Sequence, residues 1–466
     1  MKTYRYFLTA AVLMTTMSVG AQGVKIYLKG YSNPIDYPAS TIDKIEFYPA
    51  ESDDPNNPND PNQGNNSTDD KQFLEDTGLQ LLNQFKASDF HNITRSVSHI
   101  DDYDTDELED WVDDCLNSVK TALGAPYIVN GEYSVYQYTD YKYLLLASTF
   151  HGHFSVQNNK WIKESGSAND LQFTFIDPEG KTCVARATTS GNTKTVHIIN
   201  DKDRTGWDGD MRLYDNNMYY VDVPEHVEAT YTINGMEMVH VSVDIDVSSL
   251  AEEWDLTSQG ASTTVNVRIT KENGVGQYDI VVNRAGYQAG TGAYANFSLS
   301  NDGNVILTAN ASAVGTVDLN VTNASDDPDI NTDNFGVAYA EVDILGRVQV
   351  RSTINSVGNF IKYLEEADDN RTDKDEHRRK VGRANNELNA EFFYNGGSDK
   401  KGNLSLESFE DYSWGDTHYY DVRPIITFTS DGSSYALETY FSEDAFQTVV
   451  DTYKNLIDDF NDMLKK

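Results

Sequence analysis

"VHVSVDIDV", residues 239–247, alternates branched apolar and polar residues without a break. Val239, Val241, Val243, Ile245 and Val247 fall on one side of an extended chain, while His240, Ser242, Asp244, Asp246 and Ser248 fall on the other. Successive side chains of a pleated strand point to opposite faces, so this period identifies a strand with one apolar face. The pattern recurs at Val265, Val267 and Ile269; at Ala295, Phe297 and Leu299; at Val305, Leu307, Ala309 and Ala311; and at Val317, Leu319 and Val321. From Val227 to Arg351 the chain therefore reads as long antiparallel strands that share an apolar face. Such a face must be covered by another layer.

Segments able to supply that layer flank the stretch. Phe73, Leu74, Leu81, Leu82 and Phe85 lie on one side of a helix over 73–86, with Gly78 as its weak point. A second helix, over 105–123, carries Leu108, Trp111, Val112, Cys115, Leu116, Val119 and Leu123, with Thr105 as N-cap and Gly124 and Pro126 as its stop. The acids from Asp101 to Asp110 suit the positive end of its dipole. At Ile354 the period changes to about 3.6. Ile354, Val357, Phe360, Ile361 and Leu364 open a helical segment over 354–391 that includes the basic run Arg371–Arg383. Ser442 caps a terminal helix over 443–464, with Phe446, Val449, Val450, Tyr453, Leu456, Ile457, Phe460 and Leu464 on one face. Between Tyr127 and Tyr220 the text is strand-like, with turns at Asn158-Asn159 and Gly191-Asn192 and a hairpin through "IDPEGK". Further strands are expected near Leu404–Leu406, Pro424–Phe428 and Tyr435–Tyr440. The expected class is α+β: a large, mostly antiparallel sheet whose apolar face is covered by N-terminal, inserted and C-terminal amphipathic helices.

The chain has 466 residues, with 36 Lys and Arg against 74 Asp and Glu, a formal charge of -38. So acidic a surface repels phosphate backbones and anionic headgroups, which argues against nucleic acid as a partner. Met1–Ala21 reads as a signal peptide: Lys2 and Arg5, a short apolar core, then Val19-Gly20-Ala21. Residues 22–50 read as a β-hairpin module. Residues 51–70, "ESDDPNNPNDPNQGNNSTDD", hold no apolar residue and read as a disordered linker to a main body over 71–466. No later run is long and apolar enough to span a bilayer, and no Cys adjoins the cleavage point to take a lipid anchor. The expectation is export to the periplasm or the outer surface. Cys115 and Cys183 suit burial as thiols, with a disulfide as the alternative.

"VKIYLKGYSNPIDYPASTIDKIEFY", residues 24–48, resembles an N-terminal module of secreted Bacteroidota cell-envelope proteins, in which a strand, a turn and an "I-D-x-I-x-F" strand precede an unrelated main domain. The resemblance implies an envelope origin and no activity. "YSWGDTHYY", Tyr412 to Tyr420, is similar to the signature of membrane-attack/perforin pore formers, with Asp416 inserted between Gly415 and Thr417 and no glycine pair after it. That likeness implies a pore former as an alternative function.

No H-E-x-x-H, G-x-S-x-G, P-loop or C-x-x-C spacing is present. His151 and His153 alternate around Gly152 and would share a strand face, a two-ligand start for a metal. Asp201, Asp203, Asp208 and Asp210 are candidate calcium ligands: the run opens like a calcium loop, but its twelfth position is Arg212 rather than a bidentate Glu. "NASDDPDINTDN", residues 323–334, has the same ambiguity. Trp161, Trp207 and Trp254 are candidates for stacking on a glycan. Ala295, Ala309, Ala311 and Ala313 would leave room on the apolar face, either for a closely approaching helix or for an apolar ligand. The expected function is a secreted, non-catalytic binding or scaffold protein for an apolar or glycan ligand. A polysaccharide-acting enzyme is a further alternative, although 74 acids single out no catalytic pair.

Overall fold

The computed structural model describes residues 24–26, 35–37, 68–131, 135–250, 254–255, 262–288, 292–315, 319–320, 329–330, 335–441 and 446–464. The signal segment, most of the 22–50 module, residues 51–67 of the linker, Val317, Val321 and Ser442 lie outside them. Within the module, β1 (Val24–Ile26) pairs antiparallel with β2 (Ile35–Tyr37). The second strand expected at Ile42–Phe47 is outside the described residues.

The main body opens with α1 (Thr68–Leu82), which takes in the last residues assigned to the linker, then α2 (His91–Val97) and α3 (Asp106–Asn117). Strands β3 (Lys120–Ala122), β4 (Tyr127–Asn130), β5 (Val135–Leu145), β6 (Gly152–Gln157), β7 (Lys160–Lys163) and β8 (Leu171–Ile176) follow. Two very long strands come next, β9 (Thr182–Asp208) and β10 (Met211–Ile233), then β11 (Met236–Ile245), β12 (Trp254–Asp255), β13 (Ser262–Thr270) and β14 (Gln277–Gln288). After them run β15 (Gly292–Asn301), β16 (Asn304–Gly315), the small pair β17 (Leu319–Asn320) and β18 (Asp329–Ile330), β19 (Phe335–Ile344) and β20 (Val348–Ile354). The inserted helices are α4 (Val357–Asp369) and α5 (Lys374–Glu387). The chain then forms β21 (Leu388–Tyr394), β22 (Lys400–Trp414), β23 (Thr417–Phe428) and β24 (Ser434–Ala436), a helical turn α6 (Leu437–Tyr440), and α7 (Gln447–Leu464).

The class is α+β, as the patterning predicts. The main sheet runs β24-β23-β22-β21-β20-β19-β16-β15-β14-β13-β11-β10-β9-β8-β6-β7, and all its pairings but β6–β8 are antiparallel. No ladder joins β24 to β7 among the described residues, so the sheet is open. Its register lines up the apolar positions across strands. One row reads Val227, Val243, Val265, Val282, Phe297, Ala309, Val342, Val350, Phe392 and, across Gly402, Phe428. Every step is apolar, because a period of two on each strand and the hairpin registers agree.

The helices cover this face in separate places. Leu108, Trp111 and Cys115 of α3 bury against Phe154, Trp161, Phe173 and Phe175 at one end of the sheet. Fully burying an aromatic side chain of this kind contributes about 1.5–3 kcal/mol. At the other end Phe392, Ile426, Phe428, Tyr435 and Tyr440 pack with Leu74 of α1 and with Phe446 and Val449 beside and in α7. Next to them α5 seats His377, whose Nδ1 lies 2.7 Å from Ser408 Oγ on β22. Asp373 caps α5 by accepting from the Asp375 and Glu376 amides, each at 3.1 Å. The basic run of α5 serves this helix pair: Lys380 meets Glu366 of α4, and Arg383 lies over Tyr363.

Several local expectations shift. The helix predicted over 105–123 ends at Asn117, and Lys120–Ala122 pairs instead with the open edge of β5. There its backbone groups find partners, and Leu123 is left exposed. Thr105 is the N-cap residue, but its hydroxyl donates to Glu109 rather than capping the backbone. The segment 354–391 divides into two helices and a strand, and 435–440 into a strand and a helical turn. Tyr453 and Ile457, assigned to the apolar face of the last helix, are exposed. Asn158 and Asn159 do form a tight turn, both at positive φ. Gly191-Asn192 is not a turn but an irregularity inside β9, opposite Glu225, which follows Pro224. Pro224 has no N–H for the ladder, Glu225 accepts from the Asn192 amide at 2.9 Å, and Gly191 sits at φ +84. A Cβ there would lie 2.7 Å from that of Glu225.

Beyond this irregularity β9 and β10 leave the main sheet as an arm. Met211–Val221 pairs in parallel with β5, which also holds β3 and β4, while Trp254 and Asp255 pair with β9. Val196, Val223, Val247 and Leu250 bury the base of the arm.

Candidate functional site

The middle of the apolar face is less covered than its ends. Val227, Val243, Phe392 and Phe428 are buried, whereas Val265, Val282, Phe297, Ala309, Val342 and Val350, between them in the same row, are half-buried. The parallel row Val241, Val267, Ile280, Leu299, Leu307 and Ile344 is also half-buried. One step further along the strands, Ala295, Ala311 and Ala340 are exposed. Of the alanines singled out in the sequence, Ala295 and Ala311 are thus exposed, while Ala309 and Ala313 are half-buried. At the near border of the trough, Tyr278 of β14 is sandwiched between Phe85 and Phe90, at centroid distances of 5.8 and 5.3 Å. Its hydroxyl lies 2.9 Å from Gln84 O and 2.8 Å from Asp89 Oδ2.

At one end the trough deepens into a cavity of about 180 Å³ between β8, β9, β10 and β11. Small side chains, Ala185, Ala187 and Ala229, make room for it, and Leu171, Phe173, Tyr231, Val239 and Val241 wall it, with Arg186 and Thr230 also at its border. The tyrosine hydroxyl at this wall is already engaged: Tyr231 Oη lies 2.6 Å from Ser96 Oγ on α2. Burial, with the neighbouring Cys183 thiol, pushes that phenol far above its ordinary value and keeps it neutral. Ala185, Ala187 and Ala229 thus form a mostly apolar recess, and the one charged residue that borders it, Arg186, is already paired with Asp170.

A bulge in β16 breaks the alternation at the centre. Between Leu299 and Ser300 the register slips, so that Leu307 pairs with Leu299 and Val305 with Ser300. Ile306 is the extra residue of this bulge and is buried, whereas Val305, assigned to the apolar face, is 54% exposed.

The residues proposed from motifs have other settings. Asp201, Asp203 and Asp208 lie along β9 and Asp210 in the turn at the tip of the arm; Asp203 accepts from Asn217 Nδ2 at 3.2 Å. Among the described residues no group of three His, Cys, Asp or Glu side chains is placed to hold a metal ion. His151 precedes β6 rather than lying in it, while His153 Nε2 is 2.6 Å from Asp170 Oδ1. Asp170 is buried and also meets Arg186; burial alone would raise its carboxyl, but the His153 and Arg186 contacts outweigh it and hold it below the ordinary range. Trp161 is fully buried in the core, Trp207 is 55% exposed near the arm tip, and Trp254 lies on β12. Cys115 and Cys183 are free and buried in one cluster. Tyr412–Tyr420 is the tip of the β22–β23 hairpin, turned at Gly415 with φ +61. Among the described residues no helix is long and apolar enough to cross a membrane.

No family model, no curated protein and no solved structure matches the chain.

Proposed function

We propose that this is an exported, non-catalytic binding protein of the cell envelope that holds a single acyl chain on the uncovered middle of its sheet. The supporting observation is the continuity of the Ala185–Ala187–Ala229 recess with the half-buried row of Val241, Val267, Ile280 and Leu299. Contiguous exposed apolar surface of this kind marks an interaction site. A recess of about 180 Å³ is smaller than the ~300–1,000 Å³ of pockets that enclose a compact ligand. It suits the end of a flexible chain, with the remainder lying along the row. Mostly apolar walls and a satisfied tyrosine offer little to a polar ligand, and Arg186 beside the recess is already paired with Asp170, so no free cation there draws an anionic headgroup. The occupant is therefore a neutral or cationic single-chain lipid. Organic extraction of the purified protein followed by mass spectrometry tests the reading: a stoichiometric lipid is expected from the wild type and is expected to be missing from Ala229→Leu, which fills the recess. Equal lipid from both proteins would refute the assignment to this site.

A further inference from the structure

The arm carries a second, chemically different surface. On β5, Tyr136 and Tyr138 alternate onto one face; the register sets Arg212 beside Tyr136 and Tyr214 beside Tyr138. Tyr127 of β4 completes a stack, with centroids 5.6 Å from Tyr127 to Tyr138 and 5.5 Å from Tyr138 to Tyr214, at interplanar angles of 25° and 26°. Toward the tip the stack continues in cations. The Arg212 guanidinium lies 5.7 Å from the Tyr136 centroid and 5.1 Å from that of Trp207, and the Arg204 guanidinium lies 5.8 Å from Trp207. Lys202 sits 5.6 Å from Tyr138 on the same face.

This gathering of cations stands out in a chain with twice as many acids as bases. Four arginines elsewhere in the sheet meet carboxylates: Arg186 with Asp170, Arg268 with Asp279, Arg351 with Glu341, Arg423 with Glu407. Among the described residues Arg204 and Arg212 have no such partner, and Arg212 Nε is buried without a hydrogen-bond acceptor. The carboxylate on this face, Asp140, is engaged by Tyr127 Oη at 3.2 Å and Asn216 Nδ2 at 2.9 Å. Rings that hold a guanidinium leave its N–H fork to point in its own plane, the geometry that takes a carboxylate or sulfate through two parallel hydrogen bonds. Trp207, 55% exposed, and Tyr127, 42% exposed, add ring surface on which a sugar can stack.

We infer that this face of the arm is a binding site for an acidic polysaccharide, with Arg204 and Arg212 taking its carboxylate or sulfate groups and Trp207 and Tyr127 taking its pyranose rings. The inference is independent of the acyl-chain reading, which concerns another face. It is tested with the full chain by electrophoresis through native gels containing polygalacturonate, chondroitin sulfate, neutral dextran or polyglutamate. Retardation by at least one acidic polysaccharide, and by neither dextran nor polyglutamate, is expected. Arg204→Ala with Arg212→Ala weakens it tenfold or more, Trp207→Ala weakens it several-fold, and Ala229→Leu leaves it unchanged. Arg212→Lys guards against a folding artefact: it keeps the charge but loses the fork, so retardation falls while the denaturation midpoint holds. Absence of retardation in both acidic gels, equal retardation of the double variant, or retardation by polyglutamate would overturn the proposal.

Discussion

Replacing Ala229 by Leu separates a real recess from a packed interior. The substitution adds three carbons where Ala185, Ala187 and Ala229 border about 180 Å³ of free space. At about 0.8 kcal/mol per buried methylene, three fully buried carbons would contribute about 2.4 kcal/mol. Ala229 is half-buried and its recess is open on one side, so roughly half of that, about 1 kcal/mol of stabilisation, is expected. Ala384 of α5 supplies the contrast, because it is fully buried. Leu there must displace neighbours and costs about 1–3 kcal/mol. Urea denaturation followed by circular dichroism gives both values, provided the slope with denaturant is unchanged. A rise in midpoint for Ala229→Leu alongside a fall for Ala384→Leu is the expected pair of results. A loss of about 1 kcal/mol or more in Ala229→Leu would mean that the alanine floor is packed, and the reasoning would fail.

Other consequences are as direct. Gly402→Ala places a Cβ 2.2 Å from Thr427 O and 2.3 Å from the Phe392 ring, so it should cost about 1–3 kcal/mol or more; an unchanged urea midpoint contradicts that packing. Burial lowers the His377 pKa below its ordinary value. The unfolded chain then takes up a proton near pH 6.5 that the folded chain refuses, so stability is full above that pH and falls as the pH drops toward the folded value. His377→Gln should flatten this slope in midpoints measured from pH 7.5 to 5.5, and an identical slope would dismiss it. Asp170, held below the ordinary carboxylate range, stabilises the fold above about pH 4 and loses that effect as the pH falls through its folded value. Asp170→Asn should therefore weaken the pH dependence of stability below about pH 4, and an unaltered acid limb would count against the His153–Asp170–Arg186 cluster. Burial raises the Cys115 and Cys183 pKa values, so neither thiol should react with a disulfide reagent until the protein is unfolded; fast labelling of the native chain would contradict their burial.

What could be read from the residues follows the range of the forces involved. Alternation at Val239–Ile245 is a local property of the chain, and the strand is where the pattern puts it. The bulge at Ile306 escaped because Val305, Ile306 and Leu307 are consecutively apolar, so local text leaves their faces undecided until β15 fixes the register. Gly191 and Asn192 suit a turn and a bulge alike; Pro224 and Glu225, more than thirty residues away, decide between them. Val119–Leu123 fits helical spacing, but the unpaired edge of β5 offered a stronger claim on its backbone. The trough was out of reach for the same reason. The alanines that border it could be seen, but not that α3 and α5 would settle toward the two ends of the sheet while Phe85, Phe90 and Phe460 of α7 stop at the Tyr278 border of the trough. On the arm, Tyr136 and Tyr138 alternate visibly, while their partners Arg212 and Tyr214 are found only through the parallel β5–β10 pairing.

Titration of the purified, delipidated protein with a pyrene-labelled fatty alcohol, followed by fluorescence below the alcohol's aggregation point, addresses the uncovered sheet face most directly. Saturable binding of one alcohol per chain, abolished in Ala229→Leu and retained in Arg204→Ala/Arg212→Ala, is the predicted result. A wild-type chain that shows no saturable binding, or an Ala229→Leu chain that binds as well as the wild type, would contradict it.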